Sequence, residues 1–178
     1  IIMRSIFTIH AGEYLVGSYI ENKFKDLNVW IPSKDSGIDL LLTNKDNSKT
    51  VSLQVKFSKD FLTTSMEDIF QKGLKVCGWW TLNRQKIIKS NADYWVFALH
   101  AFNEKKLDFV IIKPKELMNI FKKLNRNTNT IHSYIWVTER GKCWETRDLQ
   151  TQYRILIANN SYKDKDRDLT QYLNNWKP

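Results

Sequence analysis

Between Ile6 and Phe24 the residues Ile6, Ile9, Glu13, Val16, Ile20 and Phe24 step by three or four throughout, the repeat of a helix face turned toward a core. Glu13 lies inside that stripe, where a carboxylate loses solvation and needs a cation, a metal or backbone donors. Glu21 falls off the stripe and reads as surface. The period then changes. "NVWI", a turn signal at "PSKDSG", "IDLLLT", the polar connector "NKDNSK" and an alternating run follow in order, which predicts a meander of adjacent strands. In the last run Val51, Leu53, Val55 and Phe57 share one face and Ser52, Gln54, Lys56 and Ser58 the other, so the first set is expected inside.

After Asp60 helical stretches are predicted around Met66 to Val76 and Asn83 to Ile88, separated by Gly78 and the Trp79-Trp80 pair. "DYWVFALHA" and "KLDFVIIK", rich in β-branched and aromatic residues, predict a hairpin around "FNEKK". Pro114 opens a helix with Leu117, Ile120, Phe121 and Leu124 on one face. The polar run "NRNTNT" is the clearest boundary, dividing a core at 5–125 from a C-terminal extension at 126–178. In the extension "IHSYIWV" and "KCWET" read as strands, "LQTQYRILIAN" as a helix, and "SYKDKDRD" as a solvated link to a short terminal helix. This order is that of a mixed α/β fold, most simply one sheet flanked by helices.

At 178 residues and 42% hydrophobic content the chain can bury a core as one domain. No apolar stretch approaches the roughly 20 residues that cross a bilayer, and "IIMRSIFTIH" lacks the small-residue cleavage pattern of a secretory signal. The expectation is a cytoplasmic protein with no membrane partner, its natural start outside the Ile-Ile that opens the sequence. Cys77 and Cys143 form no Cys-x-x-Cys pair and read as buried thiols, not as a disulfide framework or zinc knuckle. The net charge of +9 favours a polyanionic partner, and its spread along the whole chain favours nucleic acid over a membrane surface.

Paired as neighbouring strands, the runs around Asp39 and Lys56 bring Asp39, Gln54 and Lys56 to one edge of a sheet, with Glu13 approaching from the helix. Phosphodiester cleavage needs such a set: oxygen ligands for a hard divalent cation, and an ammonium to orient the nucleophile or offset growing charge. Taken singly, Asp39 reads equally well as a cap of backbone amides. Gln54 and Lys56 read as the wet face of an edge strand, and Glu13 as a helix carboxylate paired with a lysine. Their conjunction, in this order and spacing, favours the site.

The residues that carry it, "GEYLVG", "GIDLLL", "LQVKFS", "ADYWVFAL" and "FVIIKPKEL", resemble the PD-(D/E)XK nuclease superfamily, which includes restriction endonucleases and junction resolvases. The resemblance runs from Gly12 to Leu117 and implies a restriction-endonuclease-like core, a central mixed β-sheet flanked by helices, followed by a C-terminal α/β extension. It implies metal ligation by Asp39, Gln54 and Glu13, and a water-positioning or charge-stabilising role for Lys56, making these four the catalytic set. Gln54 stands where the common pattern has a carboxylate. An amide oxygen still ligates a hard cation but brings no charge, so affinity falls unless Glu13 supplies it.

The function expected is a magnesium-dependent DNA endonuclease, manganese substituting, with a type II restriction endonuclease as the narrower form. The alternatives are a catalytically weak or inactive DNA-binding module, and a junction-resolving or repair nuclease. Lys34, Ser58, Lys59, Arg84 and Lys86 are expected at the DNA. Cutting both strands calls for two sites, hence a homodimer. His10, His100 and His132 show no metal-ligand spacing, and the chain has neither a Walker-type phosphate loop nor a Gly-x-Ser-x-Gly elbow. Trp79, Trp80, Trp136 and Trp144 lie near Arg84, Lys86, Arg140 and Arg147, an interleaving that suits base stacking, although tryptophans are more often core.

Overall fold

The computed structural model describes residues 11–34, 36–62, 68–101 and 106–177. Expectations for Ile6, Ile9, His10, Met66 and residues 102–105 of the turn lie outside them. The chain is a mixed α/β fold built on two sheets, where the pattern predicted one.

The first sheet carries the meander. Strands β1 (Leu27–Trp30), β2 (Leu40–Asn44) and β3 (Thr50–Lys59) run antiparallel in turn. The chain then leaves the sheet and returns as β5 (Tyr94–Ala101), parallel to β3, before doubling back as β6 (Lys106–Ile112). The order β1-β2-β3-β5-β6 is therefore a mixed sheet. Helix α1 (Ala11–Lys23) lies on one face, burying Val16 and Ile20 against Leu40, Leu53, Val55, Val96 and Ala98. Gly12 is the point of closest approach: a Cβ there would meet Phe57 Cβ at 2.4 Å.

Between β3 and β5 the chain forms helix α2 (Asp68–Gly73), strand β4 (Leu74–Asn83) and helix α3 (Arg84–Ile88). The helix expected as far as Val76 thus stops at Gly73, and the Trp79-Trp80 pair lies within a strand. Tertiary pairing overrides the helical pattern here: β4 is laddered from Leu74 to Asn83 against β7 (Thr130–Thr138), and its residues alternate accordingly. Val76, Trp80 and Leu82 face inward, while Cys77 packs on the other side. Asn83 caps α3, its Oδ1 accepting from Lys86 N at 3.0 Å. Strand β8 (Cys143–Glu145) completes the second sheet, order β4-β7-β8. That sheet takes β4 from before residue 125 and β7 and β8 from after it, so the segment after the polar run is woven into the same body.

The two sheets pack face to face. Trp95, Phe97, Leu99 and Ala101 of β5 meet Trp80, Leu82, Ile131, Ile135 and Val137, with Leu117 and Phe121 of α4 (Pro114–Lys123) closing the core. Helix α5 (Thr151–Ala158) covers one end of the outer face together with α2, over Cys77, Trp136 and Trp144. The terminal helix is a single 3-10 turn at Thr170–Tyr172. Beyond it Asn174 exchanges hydrogen bonds with Phe109 (2.7 and 2.9 Å) and Trp176 packs on Tyr19 and Phe109, which pairs the free edge of β6. Among the described residues no helix is long and apolar enough to cross a membrane.

Phe57, expected inside, is 37% exposed at the far end of β3, and Ser52 and Ser58, expected on the wet face, are buried. Both faces of this strand are covered: Ser52 Oγ donates to Asp93 Oδ2 at 2.7 Å, and Ser58 Oγ accepts from Trp79 N at 3.0 Å.

Candidate active site

A cleft of about 740 Å³ opens between the meander, the start of α1 and the β4–α3 corner, and Glu13, Asp39, Gln54 and Lys56 all line it. Each arrives by a separate local rule. Glu13 occupies the first turn of α1, where a carboxylate is favoured by the helix dipole. Asp39 immediately precedes β2, beyond the turn at Gly37, whose φ of +78° suits glycine. Gln54 and Lys56 are two apart on β3 and so share a face.

The two carboxylates are buried, Glu13 at 4% and Asp39 at 3% exposure. Asp39 Oδ2 accepts from Val55 N at 2.7 Å and from Gln54 Nε2 at 3.0 Å. It thus ties the start of β2 to β3, where Asp39 N also donates to Leu53 O at 2.8 Å. Lys56 is half-buried, its Nζ 5.0 Å from the centre of the Trp95 ring. Trp95 is in turn fixed by Nε1 donating to Ser90 Oγ at 2.9 Å. An ammonium over an indole face gains about 0.5–2 kcal/mol, enough to bias the lysine toward the cleft.

Of the residues expected at the DNA, Lys86 lines the cleft. Lys34 and Lys59 are exposed outside its lining. Arg84 is half-buried, with Nη1 donating to Arg126 O at 3.2 Å. Ser58 is turned inward, its hydroxyl donating to Lys59 O at 2.9 Å besides accepting from Trp79. Trp80, Trp136 and Trp144 are core, whereas Trp79 is 44% exposed.

The second wall of the cleft consists of residues the sequence did not single out: Thr81 and Asn83 of β4, Lys89 after α3, Ser90, Asn91 and Trp95. Trp95 stands beside Gln54 in the parallel β3–β5 register, a pairing that depends on the crossover and leaves no signal in local spacing. Among the described residues no three His, Cys, Asp or Glu side chains gather as a metal cage; the carboxylates in the cleft lining are those of Glu13 and Asp39, with the Gln54 amide beside Asp39. No protein-family model, curated protein or solved structure matches the chain.

Proposed function

We propose that the chain is a divalent-metal-dependent endonuclease hydrolysing DNA phosphodiester bonds, with Glu13, Asp39, Gln54 and Lys56 as its site. One observation carries the reading: these four side chains, from helix α1, strand β3 and the residue that leads into β2, line a single cleft. Two carboxylates on opposite sides of the molecule would have removed it. The mixed five-stranded sheet, with α1 on one face and the second sheet on the other, is compatible with an α/β core of the kind the resemblance implies.

The donor set suits a hard cation. Two carboxylates and an amide oxygen are magnesium and manganese ligands, and neither a thiol nor an imidazole competes with them in the cleft lining. Glu13, Asp39 and Gln54 would hold the ion. When bound, it supplies Lewis acidity toward a phosphate oxygen and makes a water more acidic at neutral pH.

The remaining work belongs to the chain. Val55 N fixes the Asp39 carboxylate, so that group need not reorganise as charge develops. Lys56, held over Trp95, presents a cation to the phosphate. Lys86 and Lys89, both in the cleft lining, draw the backbone in through long-range attraction.

A second reading is a nuclease-like module that binds DNA without cutting. It is favoured by the commitment of the Gln54 amide to Asp39 in a site with one carboxylate fewer than the common pattern. Incubation of supercoiled plasmid with magnesium separates the two. Nicking by wild type that is lost in Lys56→Ala and Asp39→Asn is the expected result. Undiminished nicking in both variants refutes the site, and absence of cutting on any DNA form leaves the binding module.

A further inference from the structure

Next to the cleft the second sheet carries an exposed aromatic shoulder. Cys77 and Trp136 on its outer face are covered by α2 and α5, but that cover ends before Trp79. The Trp79 indole stacks on the His132 ring, 6.0 Å between centres at 27°, and Phe61 meets it edge-on at 6.3 Å. Thr81 joins this shoulder to the cleft: it lines the cleft, and its Oγ1 lies 3.2 Å from His132 Nδ1. A cation stands at the far end, Lys59 Nζ being 5.4 Å above the Phe61 ring.

The shoulder therefore runs from Lys59, across Phe61 and Trp79, to a cleft holding Lys56, Lys86 and Lys89. An exposed indole flanked by cations at both ends complements a strand that offers bases and phosphates together. In a duplex each base is stacked between its neighbours and has no free face to lay on an indole. An unpaired base has one.

We propose that this shoulder is a base-stacking platform, and that the DNA entering the cleft is single-stranded there, with one unpaired base on Trp79. The direction of the strand into the cleft rests on the nuclease reading above; the stacking does not. The substrate class is then single-stranded DNA, or the unpaired part of a branched or flapped structure, in preference to uninterrupted duplex.

Binding in EDTA tests this apart from catalysis. Fluorescence anisotropy compares a labelled single strand with its duplex, and a 2-aminopurine base in the strand reports stacking by quenching. Wild type is expected to favour the single strand by about ten-fold and to quench the probe, since one stacked base is worth about that factor or more. Trp79→Ala should lose most of the preference and the quenching, Trp79→Phe should keep much of both, and duplex affinity should not change. Because Trp79 is 44% exposed, its variants should stay folded with a modest fall in melting temperature, smaller for Trp79→Phe than for Trp79→Ala, which a thermal scan checks. Equal binding of the two forms, or an unchanged preference in Trp79→Ala, overturns the platform. If the preference holds but no DNA is cut with magnesium, the nuclease reading fails and the platform stands.

Discussion

Gln54 donates from Nε2 to Oδ2 of Asp39 across 3.0 Å, and the same oxygen accepts from the backbone of the next residue, Val55, at 2.7 Å. The Gln54 amide, which stands where the resembled pattern has a carboxylate, is thus a hydrogen-bond donor to the neighbouring Asp39. It lets a buried aspartate persist beside it without like-charge repulsion.

Gln54→Glu exchanges that attraction for repulsion between two carboxylates in contact. We expect a loss of about 1–2 kcal/mol in metal-free buffer, largely recovered with millimolar magnesium or manganese. Thermal melts with and without the ion read both effects. A variant that melts as wild type in EDTA would mean that the contact is not maintained in solution.

Asp39 has a structural duty separable from its proposed chemistry. Asp39→Ala leaves Val55 N without its acceptor in a buried setting, at a cost of about 1–3 kcal/mol. Asp39→Asn keeps an acceptor oxygen and should retain nearly wild-type stability in urea, yet lose nicking as fully as the alanine variant.

Arg126 is the fastening of the segment beyond residue 125. Its Nη2 donates to Glu145 Oε2 at 2.6 Å and to Arg147 O at 2.9 Å, and its Nη1 donates to His132 O at 3.0 Å. The Glu145 side chain is 1% exposed, and burial outweighs the nearby Arg126 and Arg167 guanidiniums to push its carboxyl above the usual range. Arg126→Ala leaves that carboxylate with the more distant Arg167 guanidinium, Nη1 at 3.4 Å, and should cost about 2–3 kcal/mol, read as a lowered urea midpoint. Adding Glu145→Gln should recover part of the loss.

Burial pushes the thiols of Cys77 and Cys143 well above their ordinary range, with Asp60 adding to it at the first and Asp108 and Asp168 at the second. Native protein should show no rapidly reacting thiol toward an aromatic disulfide reagent, and denatured protein two. Since folding raises these pKa values, their contribution to stability is complete below the ordinary thiol pKa of about 8.5. It is lost as pH rises through the folded values. Urea midpoints across the alkaline range should therefore decline less in Cys77→Ala/Cys143→Ala than in wild type.

With a net charge of +9, DNA affinity should fall steeply and log-linearly with salt, because each phosphate neutralised releases counterions. A flat response in a titration from low to physiological salt would assign the charge to another purpose.

The period-two alternation of β3 and the 3.6-residue stripe of α1 made the meander and its helix legible, because local patterns reflect which face meets the core. Glu13, Asp39, Gln54 and Lys56 could be grouped on the same basis. Two things could not be read. The alternation of β4 was masked by apolar spacing that also suits a helix, and only pairing with β7, some 50 residues on, decides it. The Trp95 beneath Lys56 is set by a parallel register across the crossover, a relation without any adjacent-sequence signal. Ser52 and Ser58 were misjudged for a simpler reason: a hydroxyl satisfied by a neighbour is as acceptable inside as a methyl group.

The ladder between β4 and β7 has a kinetic corollary. Thr81 and Asn83 help wall the cleft, yet their strand acquires its hydrogen-bonding partner only when residues 130–138 are in position. Contacts so remote along the chain must overcome loop-closure entropy before they repay it, so they form slowly. The facing wall of the cleft is accordingly expected to assemble late, and a nascent chain shorter than this would carry the acidic side chains without the strand pairing that holds the surface opposite them.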